Sequence, residues 1–207
     1  MAAFALKSHL LHEQTVQWAD NRIVLKLHRW TDYPARLVVS VRGVIFHGPR
    51  VVVVSAETPD GSIMSHVIPG GRMEPGETVM QTLRRECAEE TGWRIARPRP
   101  LAVLHYRHLT PKPKGHKYAY PDFVQPIFLV EGTRHDRRLI KREGEIETAS
   151  RLMSPKSAAK IITRVADSAA RSAGDALASR HDGTQRTAYR RTRRAREIAD
   201  PGACARP

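Results

Sequence analysis

Hydrophobic and polar positions first become regular at Arg36. RLVVSVRGVIF (36–46) is rich in Val and Ile, HGPR offers a turn and RVVVVSA follows, which predicts a strand pair. ETPDGS reads as another turn, and HVIP as a short strand ending in proline. LAVLHY and FVQPIFLVE predict two more strands, the second at an edge or carrying a bulge because Pro126 interrupts it. Upstream, TVQWA and RIVLKLHRW suggest a strand pair turning at Ala19-Asp20-Asn21. The stretch 131–145 (EGTRHDRRLIKREGE) reads as a basic polar loop.

Two segments carry helical spacing instead. Glu77 to Thr91 stops at Gly92, and its Val79, Met80, Leu83 and Cys87 share one stripe that should face a sheet. Later, Ser154 is placed to cap a helix opened by Pro155, with Ala158, Ile161, Ile162, Val165 and Ala169 repeating along it. Strands on either side of a helix, in mixed order, predict an α/β or α+β sandwich. Beyond about Gly174 apolar content fades, and the arginine-rich end reads as a mobile tail.

Composition narrows the class. At 207 residues, 41% hydrophobic and 27% charged, the chain suits one globular domain with extensions. No apolar run approaches the ~20 residues of a membrane helix, and MAAFALKSHLLHEQ lacks the apolar stretch and cleavage site of a secretory signal. Cys87 and Cys204 form neither a metal spacing nor a disulfide framework. A cytoplasmic protein with no membrane partner is expected. The net charge of +14 is uneven: residues 151–207, with thirteen basic and five acidic side chains, hold +8 of it. Nucleic acid is therefore a possible partner through the basic tail.

The segment 70–93, GGRMEPGETVMQTLRRECAEETGW, raises the chemical question. On a helical wheel Glu86, Glu89 and Glu90 fall together, about a quarter turn from the apolar stripe and overlapping its edge. Half-sheltered carboxylates this close raise one another's pKa or need a cation. A hard divalent ion would answer that need, since magnesium prefers carboxylate oxygens and works with phosphates. A solvated charged face is the alternative on the helix alone. Pro69-Gly70-Gly71 turns the backbone tightly just before it, so a main-chain carbonyl can face the same carboxylates.

Gly71, Glu77, Arg85-Glu86-Cys87, Glu89-Glu90 and Gly92-Trp93 stand at the spacing of the Nudix box, and the segment resembles it throughout. Cys87 stands where the box asks for a bulky apolar residue, a departure that concerns packing rather than chemistry. The resemblance covers residues 36 to about 166, leaving 1–35 as an N-terminal extension and 167–207 as a partly disordered basic tail.

The resemblance implies an α/β/α sandwich with a mixed β-sheet, and magnesium-dependent (or manganese-dependent) hydrolysis of a nucleoside diphosphate linked to another group. It implies that Glu86, Glu89 and Glu90 ligate metal, with the Gly71 carbonyl as a further ligand and Glu86 also as base. Arg85 would orient a glutamate, and Glu77 would brace helix against loop. A base or ligand from outside the box is open among Glu143, Glu145, Glu147 and Asp122. The segment 105–122 offers Arg107, Lys112, Lys114, Lys117, Tyr106, Tyr118 and Tyr120. They are either a clamp for phosphates and a base, with Arg107, Lys114, Lys117 and Tyr118 foremost, or a solvated loop whose tyrosines cover the core. His105 and His108 read as incidental. A binding-only Nudix sensor and a nucleic-acid-facing protein, such as one acting on RNA ends, are the competing readings. A monomer is expected, or a homodimer if residues 14–30 extend a neighbour's sheet.

Overall fold

Alternation of β-branched residues on strands, each with two apolar faces, places the core on both sides of one sheet. In the computed structural model, which describes residues 4–18, 21–57, 63–141 and 147–162, β1 (Leu10–Trp18) and β2 (Asn21–Arg29) form an antiparallel hairpin. A 3₁₀ turn at Ala35–Leu37 leads to β3 (Arg42–His47), β4 (Arg50–Glu57) and β5 (Ile63–Val67). Helix α1 (Val79–Thr91) is followed by β6 (Trp93–His108), β7 (Asp122–His135), β8 (Glu147–Met153) and α2 (Pro155–Ile161). The sheet runs β1-β2-β6-β7-β3-β4-β5, with β8 also on β4. The pair β3–β7 is parallel and the other named pairs are antiparallel, so the sheet is mixed.

Strand parity divides the core. Val44, Phe46, Val51, Val53 and Ile127 pack with Ala158 and Ile162 at α2, while Val41, Ile45, Val52, Phe128 and Val130 pack with Leu83 and Cys87 of α1. One helix on each face of the sheet makes the α/β/α sandwich. Val79 and Met80 pack against the second group, so the expected stripe of α1 does face the sheet. The N-terminal hairpin continues the same sheet, β2 pairing with β6 from Ile23↔His108 to Arg29↔Ala102, and Ile23, Leu25 and Leu27 enter the core.

The strands depart from expectation in three places. Of the two settings expected for Pro126 the edge is excluded, since it lies in a central strand between β6 and β3. The register with β6 does shift beside it, between Ala102↔Ile127 and Pro100↔Phe128. Pro126 is tolerated because the parallel ladder with β3 begins only at Ile127, after an isolated bridge at Val38↔Val124. Strand β6 starts at Trp93, eight residues before LAVLHY; Pro98 and Pro100 are absorbed where its register with β7 shifts. Strand β8 was not expected at all; it pairs with β4 from Val51↔Met153 to Glu57↔Glu147.

Candidate metal-binding and catalytic site

Helix α1 begins where Thr78 caps it. The Thr78 hydroxyl accepts from Gln81 N–H at 3.3 Å and the Gln81 side chain accepts from Thr78 N–H at 2.8 Å, a reciprocal capping box. It ends at Gly92, whose φ of 72° is left-handed. Ahead of the helix, residues 69–73 are stitched to 39–43 by three main-chain bonds: Gly43 N–H to Pro69 O (2.8 Å), Val41 N–H to Gly71 O (2.9 Å) and Met73 N–H to Val39 O (3.0 Å). Gly70 has φ 141°, and a Cβ there would overlap the Val41 carbonyl. A Cβ on Gly71 would overlap the Glu86 carboxylate. Only paired glycines let this loop lie between β3 and α1.

Arg85 is the hub of the site. Its Nε donates to Glu77 Oε1 at 2.7 Å and its Nη2 to Glu77 Oε2 at 2.9 Å, a fork matched to the carboxylate. Nη1 reaches Glu86 Oε1 at 3.0 Å and Glu89 Oε2 at 3.2 Å, and Nη2 also donates to the Arg72 carbonyl at 2.9 Å. Glu77 in turn accepts from Glu74 N–H (2.9 Å) and the Thr82 hydroxyl (2.7 Å), tying helix to loop. Lys141 forms an ion pair with the other oxygen of Glu89, and its N–H donates to the Glu89 carbonyl at 3.0 Å. Glu90 accepts from Gly70 N–H at 2.8 Å.

These environments separate the acids electrostatically. The Arg85 guanidinium holds the Glu77 carboxyl down to about 2. Burial pushes Glu90 up to about 7, outweighing the attraction of Arg42 and the Gly70 N–H. Burial also raises Glu86, against the pull of Arg85 and with some repulsion from Glu89. An acid that burial holds in its protonated form gives up the proton only when a cation offsets the cost of the buried charge.

Among the described residues no three acid, histidine or cysteine side chains already converge on one point as a metal cage. Glu86 and Glu89 are instead bridged by the Arg85 guanidinium, a resident positive charge, and Glu90 faces Gly70. The donor chemistry still fits a hard divalent cation: carboxylate oxygens from one helical turn, against the glycine whose missing Cβ leaves Glu86 its place.

A profile of the NUDIX domain matches residues 36–172. The chain belongs to the Nudix hydrolase family. No curated protein sequence matches it. Among solved structures, a Bacillus subtilis pyrophosphohydrolase, RppH, is 21% identical with TM-score 0.46, covering 69% of this chain and 77% of that one. A NUDIX hydrolase from Nitrosomonas europaea is likewise 21% identical, TM-score 0.46, covering 65% and 86%. The MutT NUDIX hydrolase of Burkholderia pseudomallei is 20% identical, TM-score 0.45, covering 67% and 95%.

The other residues singled out in the Nudix chain are distributed unevenly. Tyr118 is exposed and stands under the Arg72 guanidinium, 5.1 Å from its ring centroid, which brings the 109–121 loop to the box. Lys112, Lys114 and Lys117 are exposed on that loop. Tyr106 is not available to a ligand: it is buried, stacks on Phe123 at 4.3 Å and donates to Gln125 at 3.2 Å. Tyr120 stacks on His108. Asp122 is buried and bonded to His105 Nε2 at 2.9 Å, with Arg107 at 3.5 Å, so Arg107 and Asp122 are partners of one another. Glu147 is in β8 opposite Glu57; Glu143, Glu145 and the tail beyond Ile162 lie outside the described residues. Three groups escaped the sequence reading: Lys141 on Glu89, Arg42 beside Glu86 and Glu90, and Arg72 over Tyr118. Lys141 and Arg42 come from segments whose place at the box depends on tertiary packing, and Arg72, within the box itself, meets Tyr118 only because the 109–121 loop packs there. No helix among the described residues is long and apolar enough to cross a membrane.

Proposed function

We propose that the chain hydrolyses a pyrophosphate linkage in a nucleoside diphosphate derivative, with Mg²⁺ or Mn²⁺ as cofactor. The reading is carried by one observation: a single turn of α1 brings Glu86 and Glu90 against the Gly70-Gly71 loop, with Arg85 tying Glu86 and the neighbouring Glu89 to Glu77. Glu86, Glu89 and Glu90, with the Gly71 carbonyl, would hold the cation. When bound, such a cation offsets phosphate charge and makes its water more acidic.

The chain's own groups do the rest. Glu86, sheltered and raised in pKa above the ordinary carboxylate range, is suited to take a proton from the attacking water. Arg85 fixes the carboxylates of Glu86 and Glu89, and Glu77 fixes Arg85. Tyr118, which the Arg72 guanidinium overlies, and exposed Lys114 and Lys117 of the same loop would supply a ring face and positive charge for the substrate, while Arg107 is paired with Asp122.

The test is a panel of nucleotide sugars, dinucleoside polyphosphates and nucleoside triphosphates incubated with Mg²⁺, products identified by mass. Cleavage of one class at its anhydride, abolished by Glu89→Gln and by Glu90→Gln in folded protein, supports the reading. Ligand binding without turnover across the panel makes the chain a sensor instead.

A further inference from the structure

At the far end of β3 from the Gly70-Gly71 loop, about 13 Å along the strand from Arg42 to Phe46, the surface changes character. The segments 47–50, 94–99 and 131–138 contain seven arginines and two acids. The arginines Arg50, Arg94, Arg97, Arg99, Arg134, Arg137 and Arg138 are all exposed. Glu131 is taken by Arg97 at 3.1 Å, and Asp136 by Arg138 at 2.9 Å.

Three details go beyond a merely solvated charged surface. Arg94 and Arg134 stand directly opposite each other across β6 and β7, a like-charge pairing that disfavours the bare sheet. Arg97 has φ 50°, a left-handed conformation unusual for a side chain of its size, inside the register shift between Ala96 and Arg99. That shift sets Arg97 and Arg99 along a cleft of about 390 Å³ facing Phe46 and Gly48. On the α1 side of the sheet end, exposed His47 and His135 pack on Trp93 at ring separations of 4.5 and 5.1 Å, with exposed Arg50 paired opposite His47. The chain then runs from this surface to the carboxylates: Asp136 N–H donates to Gly92 O at 2.8 Å and Lys141 N–H to Glu89 O at 3.0 Å.

From this geometry we infer that the arginine surface of the β6–β7 end and the β3–β4 turn binds single-stranded nucleic acid. The guanidinium groups meet phosphodiester oxygens, and a flexible strand passing round the end of the sheet presents bases to the His47–Trp93–His135 group on its other side. Phosphate charge relieves the Arg94–Arg134 opposition. Single strands are favoured over duplexes because the imidazoles can meet only unpaired bases. The inference does not depend on the hydrolytic reading, because binding is measured without turnover.

The experiment uses the full chain and a fluorescein-labelled oligouridine of about twelve nucleotides, with anisotropy read across a KCl series. Two variants of equal charge are compared: Arg94, Arg97, Arg99 and Arg134 all changed to Gln, and Arg190, Arg191, Arg193 and Arg194 of the tail all changed to Gln. The surface variant should bind at least about tenfold more weakly near 0.1 M salt, and its log–log salt slope should shrink by about 2 to 3. The tail variant should keep most of the affinity. Equal losses in both, an unchanged surface variant, or no binding by the parent chain would overturn the inference. Unfolding midpoints check the fold, and Arg94→Gln with Arg134→Gln alone repeats the test should the fourfold variant be unstable.

Discussion

Gly71 and Glu86 occupy each other's space: any side chain at 71 would overlap the Glu86 carboxylate. The loop and the helix are therefore fitted around a missing Cβ. Gly71→Ala should displace Glu86 and reduce turnover roughly hundredfold, the scale of a misplacement near 1 Å. Steady-state kinetics beside a thermal melt checks this, since a site effect leaves most of the fold's stability in place.

Arg85 restrains two acids of the cluster besides Glu77, all of them mostly sheltered. Arg85→Met should cost about 3 kcal/mol of stability at neutral pH, because the acids keep their charge and lose their partner. The sign with pH follows from Glu77. Its folded pKa lies below its unfolded value, so its contribution is present above the unfolded pKa and fades as pH falls toward about 2. Urea unfolding of the two proteins should show the gap closing as pH is lowered through that interval.

Glu90 behaves in the opposite sense. Its folded pKa is raised to about 7, so the metal-free fold loses stability as pH rises from the ordinary carboxylate range through neutrality. A bound cation replaces the missing proton. Mg²⁺ should therefore raise the melting temperature more at pH 8 than at pH 5.5, and metal-free Glu90→Gln should exceed the parent by about 1 kcal/mol or more at pH 8. Differential scanning calorimetry with and without chelator reads both.

Lys141 holds an oxygen of Glu89 that a cation would use. Its side chain is largely exposed, so the pair contributes little, and Lys141→Met should tighten Mn²⁺ binding by about twofold to fivefold. Paramagnetic titration of free Mn²⁺ measures it directly; weaker binding would mean that Lys141 supports the site instead of competing for it.

The helix and its neighbourhood were legible because their signals are local. An apolar stripe, a terminal glycine and clustered carboxylates all fall within 24 consecutive residues, whereas the cap at Thr78, with the helix opening at Val79 and not at the expected Glu77, emerged only with the structure. The strands around it were less so. Pro98 and Pro100 disguised the first half of β6, which the bulges accommodate, and Pro126 left an edge and a bulge both open because the position of a strand within a sheet is a tertiary fact. Strand β8 carries polar residues, ETASRLM, and is held by its ladder with β4. For Tyr106 the sequence left a base-stacking ring and a core-covering ring both open, because it does not say which face of β6 is covered; β2 and Phe123 enclose it, so it covers the core.

The central claim is that carboxylates of one helical turn act through a divalent cation on a phosphoanhydride. Hydrolysis of a cleaved panel member in ¹⁸O-water tests it most directly, with product masses read with Mg²⁺, with excess chelator, and in Glu89→Gln. The account predicts label in one phosphate product only when Mg²⁺ and Glu89 are both present. Labelled product at an undiminished rate in chelator, or from Glu89→Gln, would contradict it.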